Sequence, residues 1–329
     1  MTEFRARTRI ILRWLLALFL MGLAIRLLKA DPEPLERLLS TRPDVLAGLA
    51  VLVVVNQFLM SWRLSFAVEQ CGGRGVTGLT WFRLTSVGQF LNLFVPQLGN
   101  VYRGIVLKRD HGVSYLAYAS GLVAFVWMDM VMGFVVALVV ILVRDPAFRM
   151  LGLPAPFVLC LVLGALLAGP LAAARLVGNT GGDGGMFGRI GRRASTLLVT
   201  TVQVLESPLF VARFFCVSVL GTLGQVAALW LSFAAVGATV PVGALIVFQV
   251  FIKLSNQVMI TPGNLGLTEL TYGILAGSST FKLEQGIAAA LIMRAVGMVM
   301  IVFLGLVSGG GSYLLNRRHE ALGEPGKDP

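Results

Sequence analysis

Two short stretches hold the residues best suited to chemistry. In "NLFVPQLGNVYRG", Asn92 to Gly104, an apolar run is broken by Pro96, Gly99 and Asn100, and Arg103 follows within a turn. In "NQVMITPGNLGLTELTYG", Asn256 to Gly273, the order recurs: asparagine, apolar residues, Pro262, then Gly263, Asn264 and Gly266, with Glu269 as the charge. Proline removes a backbone donor and glycine loosens a helix. In lipid, interrupted backbone survives only where protein or a water-filled cavity surrounds it. Gly/Pro-broken segments at matching places in two halves of a chain point to a transporter's binding site. The plainer alternative is a pair of surface loops. The matched positions, about half a chain apart, weigh against it.

Five ionisable residues stand in or beside apolar segments: Arg103, Asp129, Lys253, Glu269 and Arg294. Each costs about 2.5–3.5 kcal/mol at the bilayer centre on the lenient insertion scale. They must therefore pair, snorkel or line water. Lys253 is near enough to the end of its run for snorkelling to compete. Asp129 and Arg294 lie deeper, where a structural ion pair competes with a role toward substrate or coupling ion. Three cations against two anions leave one positive charge over, which a lipid phosphate would satisfy. Half-helix amino termini at the breaks would add partial positive charge toward the same ligand. Arg103 and Glu269, at equivalent places and of opposite sign, are expected to approach each other, with Asp129 and Arg294 as competing partners. The candidate binding set is thus Asn92, Pro96, Gly99, Asn100, Arg103, Asp129, Lys253, Asn256, Pro262, Gly263, Asn264, Gly266, Glu269 and Arg294. Asn56 and Gln57 read more as interhelical hydrogen-bonding residues than as substrate contacts.

The elements that position these residues follow from composition. The 329 residues are 57% hydrophobic and 13% charged, against about 25% charged in soluble domains. Apolar runs fall at Ile10–Leu28, Val45–Arg63, Tyr115–Val143, Phe157–Val177, Phe214–Val236, Val242–Ile260 and Ile287–Leu315. Together with the two breaks they predict an all-α polytopic membrane protein of about 7–8 transmembrane helices and two broken or re-entrant segments. The first run exceeds the about 7–15 residues of a signal-peptide core and has a poor cleavage site, so it reads as a retained helix.

The expected organisation is one integral membrane domain over residues 1–329. Halves 1–177 and 195–315 are joined by the glycine-rich stretch 178–194, and the tail 316–329 is disordered. That stretch has neither a preceding strand nor a Walker lysine, which makes it a linker rather than a phosphate loop. Residues 195–207 are expected along the membrane surface. Arg5, Arg7, Arg9 and Arg13 place the amino terminus in the cytoplasm, in a bacterial inner membrane. The side of the carboxy terminus turns on whether the segment after Pro262 re-enters or crosses. "GLVSGGGS", Gly305 to Ser312, suits close helix packing.

Several classes are excluded. Cys71, Cys160 and Cys216 form no disulfide framework, and His111 and His319 lack ligand-like neighbours, so neither metal nor cofactor is expected. The net charge of +11 fits the positive-inside rule and anionic headgroups. Nucleic-acid binding would need a soluble basic face. No catalytic signature is present, so no catalytic residue is assigned and an enzyme is not expected.

The motifs resemble the flippase-like family named after the transmembrane region of lysylphosphatidylglycerol synthase. Its Pro-x-x-Gly-Glu-x-x-Arg type motif is matched by Pro96 to Arg103, and its Pro-Gly-Gly-Leu-Gly-x-x-Glu type motif by "PGNLGLTE", Pro262 to Glu269. Arg63, Asp129 in "VWMDMV" and Arg294 in "LIMRAVG" are also similar, and the resemblance covers roughly residues 57–312. There are departures: Asn100 stands at the family's glutamate, Asn264 at its middle glycine, and Phe125–Val126 at a Glu-Arg pair. The soluble aminoacyl-transferring half of the best-known relatives is expected to be missing. The resemblance implies transbilayer movement of a lipid or lipid-linked anion, with a membrane lipid bearing an anionic or phosphate headgroup as partner. A lipid-binding scaffold for a partner enzyme and a lipid-modifying transferase are the alternatives.

Overall fold

In lipid every backbone donor must be bonded within its own segment, so the apolar runs fold as helices. The computed structural model describes residues 18–28, 40–73, 75–150, 152–179, 207–257, 261–278 and 281–321, with 15, 16, 33, 36 and 37. Its helices are α1 (Leu18–Leu28), α2 (Pro43–Gln70), α3 (Gly78–Phe94), α4 (Leu98–His111), α5 (Tyr115–Arg144), α6 (Ala155–Asn179), α7 (Pro208–Ala235), α8 (Val242–Gln257), α9 (Leu267–Gly277) and α10 (Leu283–Ala321). The protein is an all-α polytopic membrane protein. One element departs from that class: Arg149–Met150 pairs antiparallel with Leu153–Pro154 in a minute ribbon between α5 and α6.

Local chemistry sets the helix starts. Thr77 and Ser114 accept from Thr80 N–H and Ala117 N–H at the heads of α3 and α5, and α2 and α7 begin on proline, which needs no donor there. Four helices, α2, α5, α7 and the part of α10 from Leu283 to Gly309, are long and apolar enough to span a bilayer. Their outward faces carry Val51, Trp62, Val143, Trp230, Val299 and Leu306, all exposed. Large apolar side chains left exposed along the spanning helices mark the lipid-facing surface.

The remaining helices explain the two breaks. α3 has 17 residues and α4 has 14, so at about 1.5 Å per residue neither reaches far beyond 25 Å. The two pack against each other around a turn at Val95–Gln97. α8 has 16 residues and packs against α9, so the run expected as a span over Val242–Ile260 is the first arm of a second hairpin. The 3₁₀ turn Pro262–Asn264 lies between those arms and packs against α3. Glycine permits the close approaches. A Cβ on Gly99 would fall 1.9 Å from the Gly88 carbonyl oxygen, one on Gly121 2.6 Å from the Val68 Cα, and one on Gly305 2.4 Å from the Phe90 Cβ. Of the stretch "GLVSGGGS", Gly305 makes the expected close packing.

Other sequence expectations fall where the chain is not described. These are the first run before Leu18 apart from residues 15 and 16, the linker beyond Asn179, the surface segment before Ser207, and residues 322–329. α6 continues to Asn179, so the linker's first residues are helical. α10 runs to Ala321, so the expected disordered tail is helical at its start.

Candidate functional site

The buried charges sort into two structural groups and one remainder. One carboxylate oxygen of Asp129 on α5 accepts from Arg63 of α2, and the other pairs with Lys253 of α8, whose Nζ is 2.7 Å away. Arg63 and Asp129 are 1% and 6% exposed, and Phe125 lies against the guanidinium. Lys253 therefore does not snorkel; it faces inward on the carboxylate. The second group belongs to the second break. Glu269, fully buried, pairs with Arg294 of α10 and accepts the Gly266 N–H at 2.8 Å. Arg294 also donates to the Gly263 and Asn264 carbonyls at 2.9 and 3.1 Å. The turn is thereby tied at its backbone, which suits its left-handed Gly263, Asn264 and Gly266.

Arg103 is the remainder. It is 5% exposed, and among the described residues no carboxylate reaches it. Its Nε donates to the Gly99 carbonyl at 3.2 Å and a terminal nitrogen donates to the Asn100 side-chain oxygen. Tyr118 stands beside it. The expected approach of Arg103 to Glu269 is corrected: both competing partners took the pairs, Arg294 holding Glu269 and Arg63 and Lys253 holding Asp129. Arg63 raises the cations of these segments to four against two anions, two of the four being only partly buried, so the expected excess of one becomes two.

The amino termini at the breaks are also less available than expected. Gly99 N–H at the head of α4 donates to Asn92 Oδ1 at 2.7 Å, and Asn100 N–H to the Gln97 carbonyl. Glu269 covers the head of α9. Where the breaks meet, the positive charge that faces open space without an acid beside it, among the described residues, is that of Arg103.

That space is a chain of cavities where the two breaks meet. The largest, about 760 Å³, is lined by Asn92, Gln97, Asn100, Arg103, Gln257 and Gly263 at its polar end and by Phe125, Val126, Trp127, Met130 and Leu166 along an apolar wall. A second, about 360 Å³, meets Asn256, Gly263, Asn264, Thr268 and Arg294. A small one of about 110 Å³ is lined by Asn92, Pro96, Thr261, Gly263 and Asn264, so Pro96 and the neighbours of Pro262 share one void. A third chamber, about 260 Å³, lies between α2, α7, α8 and α10. Gln89 and Ile301 line all three larger ones.

Of the candidate residues, Asn92, Pro96, Asn100, Arg103, Asn256, Gly263, Asn264 and Arg294 thus face these cavities. Gly99, Asp129, Lys253, Gly266 and Glu269 line none of them: Gly99 provides close packing, and the others provide the ion pairs and turn that hold the walls. Pro262 contributes its backbone to the 3₁₀ turn.

Sequence reasoning missed Gln89 and the chamber residues Ser86, Gln225 and Gln249; Gln225 and Gln249 are polar residues isolated in apolar runs, which is the signal that could have found them, whereas Ser86 and Gln89 lie in a more polar segment. Asn56 and Gln57 call for a correction. They line the chamber, and among the described residues Asn56 Oδ1 and Gln57 Nε2 have no hydrogen-bond partner. Among the described residues no cluster of three histidine, cysteine or acidic side chains is placed to hold a metal.

Residues 10–305 match the family model described as the lysylphosphatidylglycerol synthase TM region. No curated protein and no solved structure gives a match.

Proposed function

Because the chain belongs to the family of the lysylphosphatidylglycerol synthase transmembrane region, we propose that it moves an anionic, phosphate-bearing lipid across the membrane through this cavity. One observation carries the reading: a buried arginine without a carboxylate faces a cavity that is polar at one end and apolar along its wall. A lone buried cation is costly, and a phosphate is the bidentate partner a guanidinium suits best. The apolar wall matches an acyl chain. The excess of two cations over anions supports an anion over a zwitterion. With Arg5, Arg7, Arg9 and Arg13 at the amino terminus, the orientation proposed is amino terminus in the cytoplasm of a cell with an inner membrane.

The test is movement of fluorescent phosphatidylglycerol and phosphatidylcholine in vesicles reconstituted with the protein, with and without an imposed proton gradient. The expected result is protein-dependent movement of the anionic lipid and at least a tenfold loss in Arg103→Gln. Movement no faster than in protein-free vesicles under every condition, or movement indifferent to headgroup charge, refutes the proposal. Binding without movement indicates a lipid-binding scaffold instead.

A further inference from the structure

The third chamber has a chemistry unlike that of the Arg103 cavity. Its lining carries no charged side chain, and its polar wall is made of carboxamides: Asn56 and Gln57 from α2, Gln225 from α7, Gln249 and Asn256 from α8. Ser86 and Gln89 of α3 complete it. Gln249 donates to Gln225 at 2.9 Å, but Asn56 Oδ1, Gln57 Nε2 and Ser86 Oγ are buried and have no partner among the described residues. Gln57 is 7% and Ser86 2% exposed.

Buried polar groups without partners are rare, and each calls for an explanation. At about 30 Å³ per water, a chamber of about 260 Å³ has room for a group several times the size of a water. The open groups are an acceptor, a donor and a hydroxyl that does both. A second phosphate would find no counter-charge here, an ammonium would find no carboxylate, and an acyl chain would leave the amides unpaired. A group bearing several neutral hydroxyls satisfies donors and acceptors alike. The chamber also adjoins the anion-facing cavity, because Met60, Gln89 and Ile301 line both.

We infer that the amide chamber receives a neutral, hydroxyl-rich headgroup, a polyol or sugar joined to the lipid through the phosphate held at Arg103. The inference rests on the anionic-lipid reading and narrows it to one substrate class.

The experiment is a binding titration of the purified full-length chain in detergent with phosphatidylinositol, phosphatidic acid of matched acyl chains, and free inositol. Phosphatidic acid carries at least as much negative charge, so charge alone cannot favour the inositol lipid. The expected result is at least tenfold tighter binding of phosphatidylinositol, a ratio that falls toward one in Gln57→Leu with Gln249→Leu, and weaker binding of both lipids in Arg103→Gln. The parent's ratio is read without any variant, so a misfolded double variant does not spare the inference. Equal binding of the two lipids with Arg103 dependence intact overturns the headgroup assignment and leaves the anionic-lipid reading standing. Binding of either lipid that is indifferent to Arg103 removes that reading. Free inositol that displaces the lipid at equal concentration assigns the chamber to a soluble polyol and overturns the lipid-linked form.

Discussion

Replacing Asp129 with asparagine should destabilise the protein far more than replacing Lys253 with methionine. The carboxylate serves two cations at once, and the side chains of Arg63, Asp129 and Lys253 are 2%, 8% and 11% exposed. At an effective dielectric near 20, a unit pair about 4 Å apart is worth about 4 kcal/mol. Asp129→Asn deletes two attractions of that order and leaves Arg63 repelling Lys253. Lys253→Met deletes one attraction together with that repulsion, and leaves Arg63 and Asp129 paired one to one. Removing one partner of a buried pair costs about 3–5 kcal/mol when it strands a charge, and Asp129→Asn strands two. Taking the cost of a single stranded charge as the lower bound and about 2–4 °C per kcal/mol, the expected loss in melting temperature is at least roughly 6–20 °C. Lys253→Met should stay within about 1 kcal/mol of the parent, because no charge is left uncompensated. Asp129→Asn combined with Lys253→Met should recover part of the loss, with Arg63 still unpaired. The assay is fluorescence-detected size-exclusion chromatography of heated detergent extracts. If Lys253→Met melts as low as Asp129→Asn, the three residues are not a shared-carboxylate cluster and the charge count of the site fails with it.

Glu269→Gln should cost about 3–5 kcal/mol by stranding Arg294, and the same melting assay checks it. Gly99→Ala should destabilise by about 1–3 kcal/mol or more, because its Cβ meets the Gly88 backbone; Gly164→Ala, with open space around it, is the control that should melt like the parent. In a chain whose three cysteines are replaced, cysteine at Asn100, which lines the main cavity, should react with a membrane-impermeant thiol reagent from at least one side. Full protection in folded protein would show the cavity to be closed to water. Native Cys71 should label poorly without replacement, since burial pushes its thiol up to about 11.

The spans were legible because an apolar run in lipid has few alternatives to a helix, and the breaks because proline and glycine interrupt that run at identifiable residues. Pairing was not legible. Arg103 and Glu269 occupy equivalent places in their segments, but equivalence in sequence does not fix which helix faces which. Arg294 is held to the second break by two carbonyls as well as by Glu269, and no one-dimensional pattern encodes a carbonyl. Arg63 ends an apolar run and reads as a boundary residue, yet α2 continues past it to Gln70 and carries it into the core. Asn56 and Gln57 failed for a related reason. An amide in a span signals a hydrogen bond, and whether its partner is protein or ligand depends on the space opposite.

The two breaks share a local grammar and end in opposite electrostatic states, and Asn100 is where this can be tested. At the second break the charge is consumed internally: Glu269 holds Arg294, and Arg294 holds the turn. At the first, Arg103 donates to Asn100, a neutral residue at the position where the family's motif carries glutamate. A carboxylate in that place would be within reach of the guanidinium and would neutralise it. Asn100→Glu should therefore close the first break as Glu269 closes the second, leaving stability equal or higher. It should also remove the one cation among the described residues that lines the main cavity. Binding of phosphatidic acid should fall at least tenfold, which is about 1.4 kcal/mol, and movement of the anionic lipid should fall with it. Titration of parent and variant in the same detergent measures the first effect, and vesicle reconstitution the second. If Asn100→Glu binds and moves the anionic lipid as the parent does, the phosphate is not held by Arg103, and the asymmetry between the breaks is structural alone.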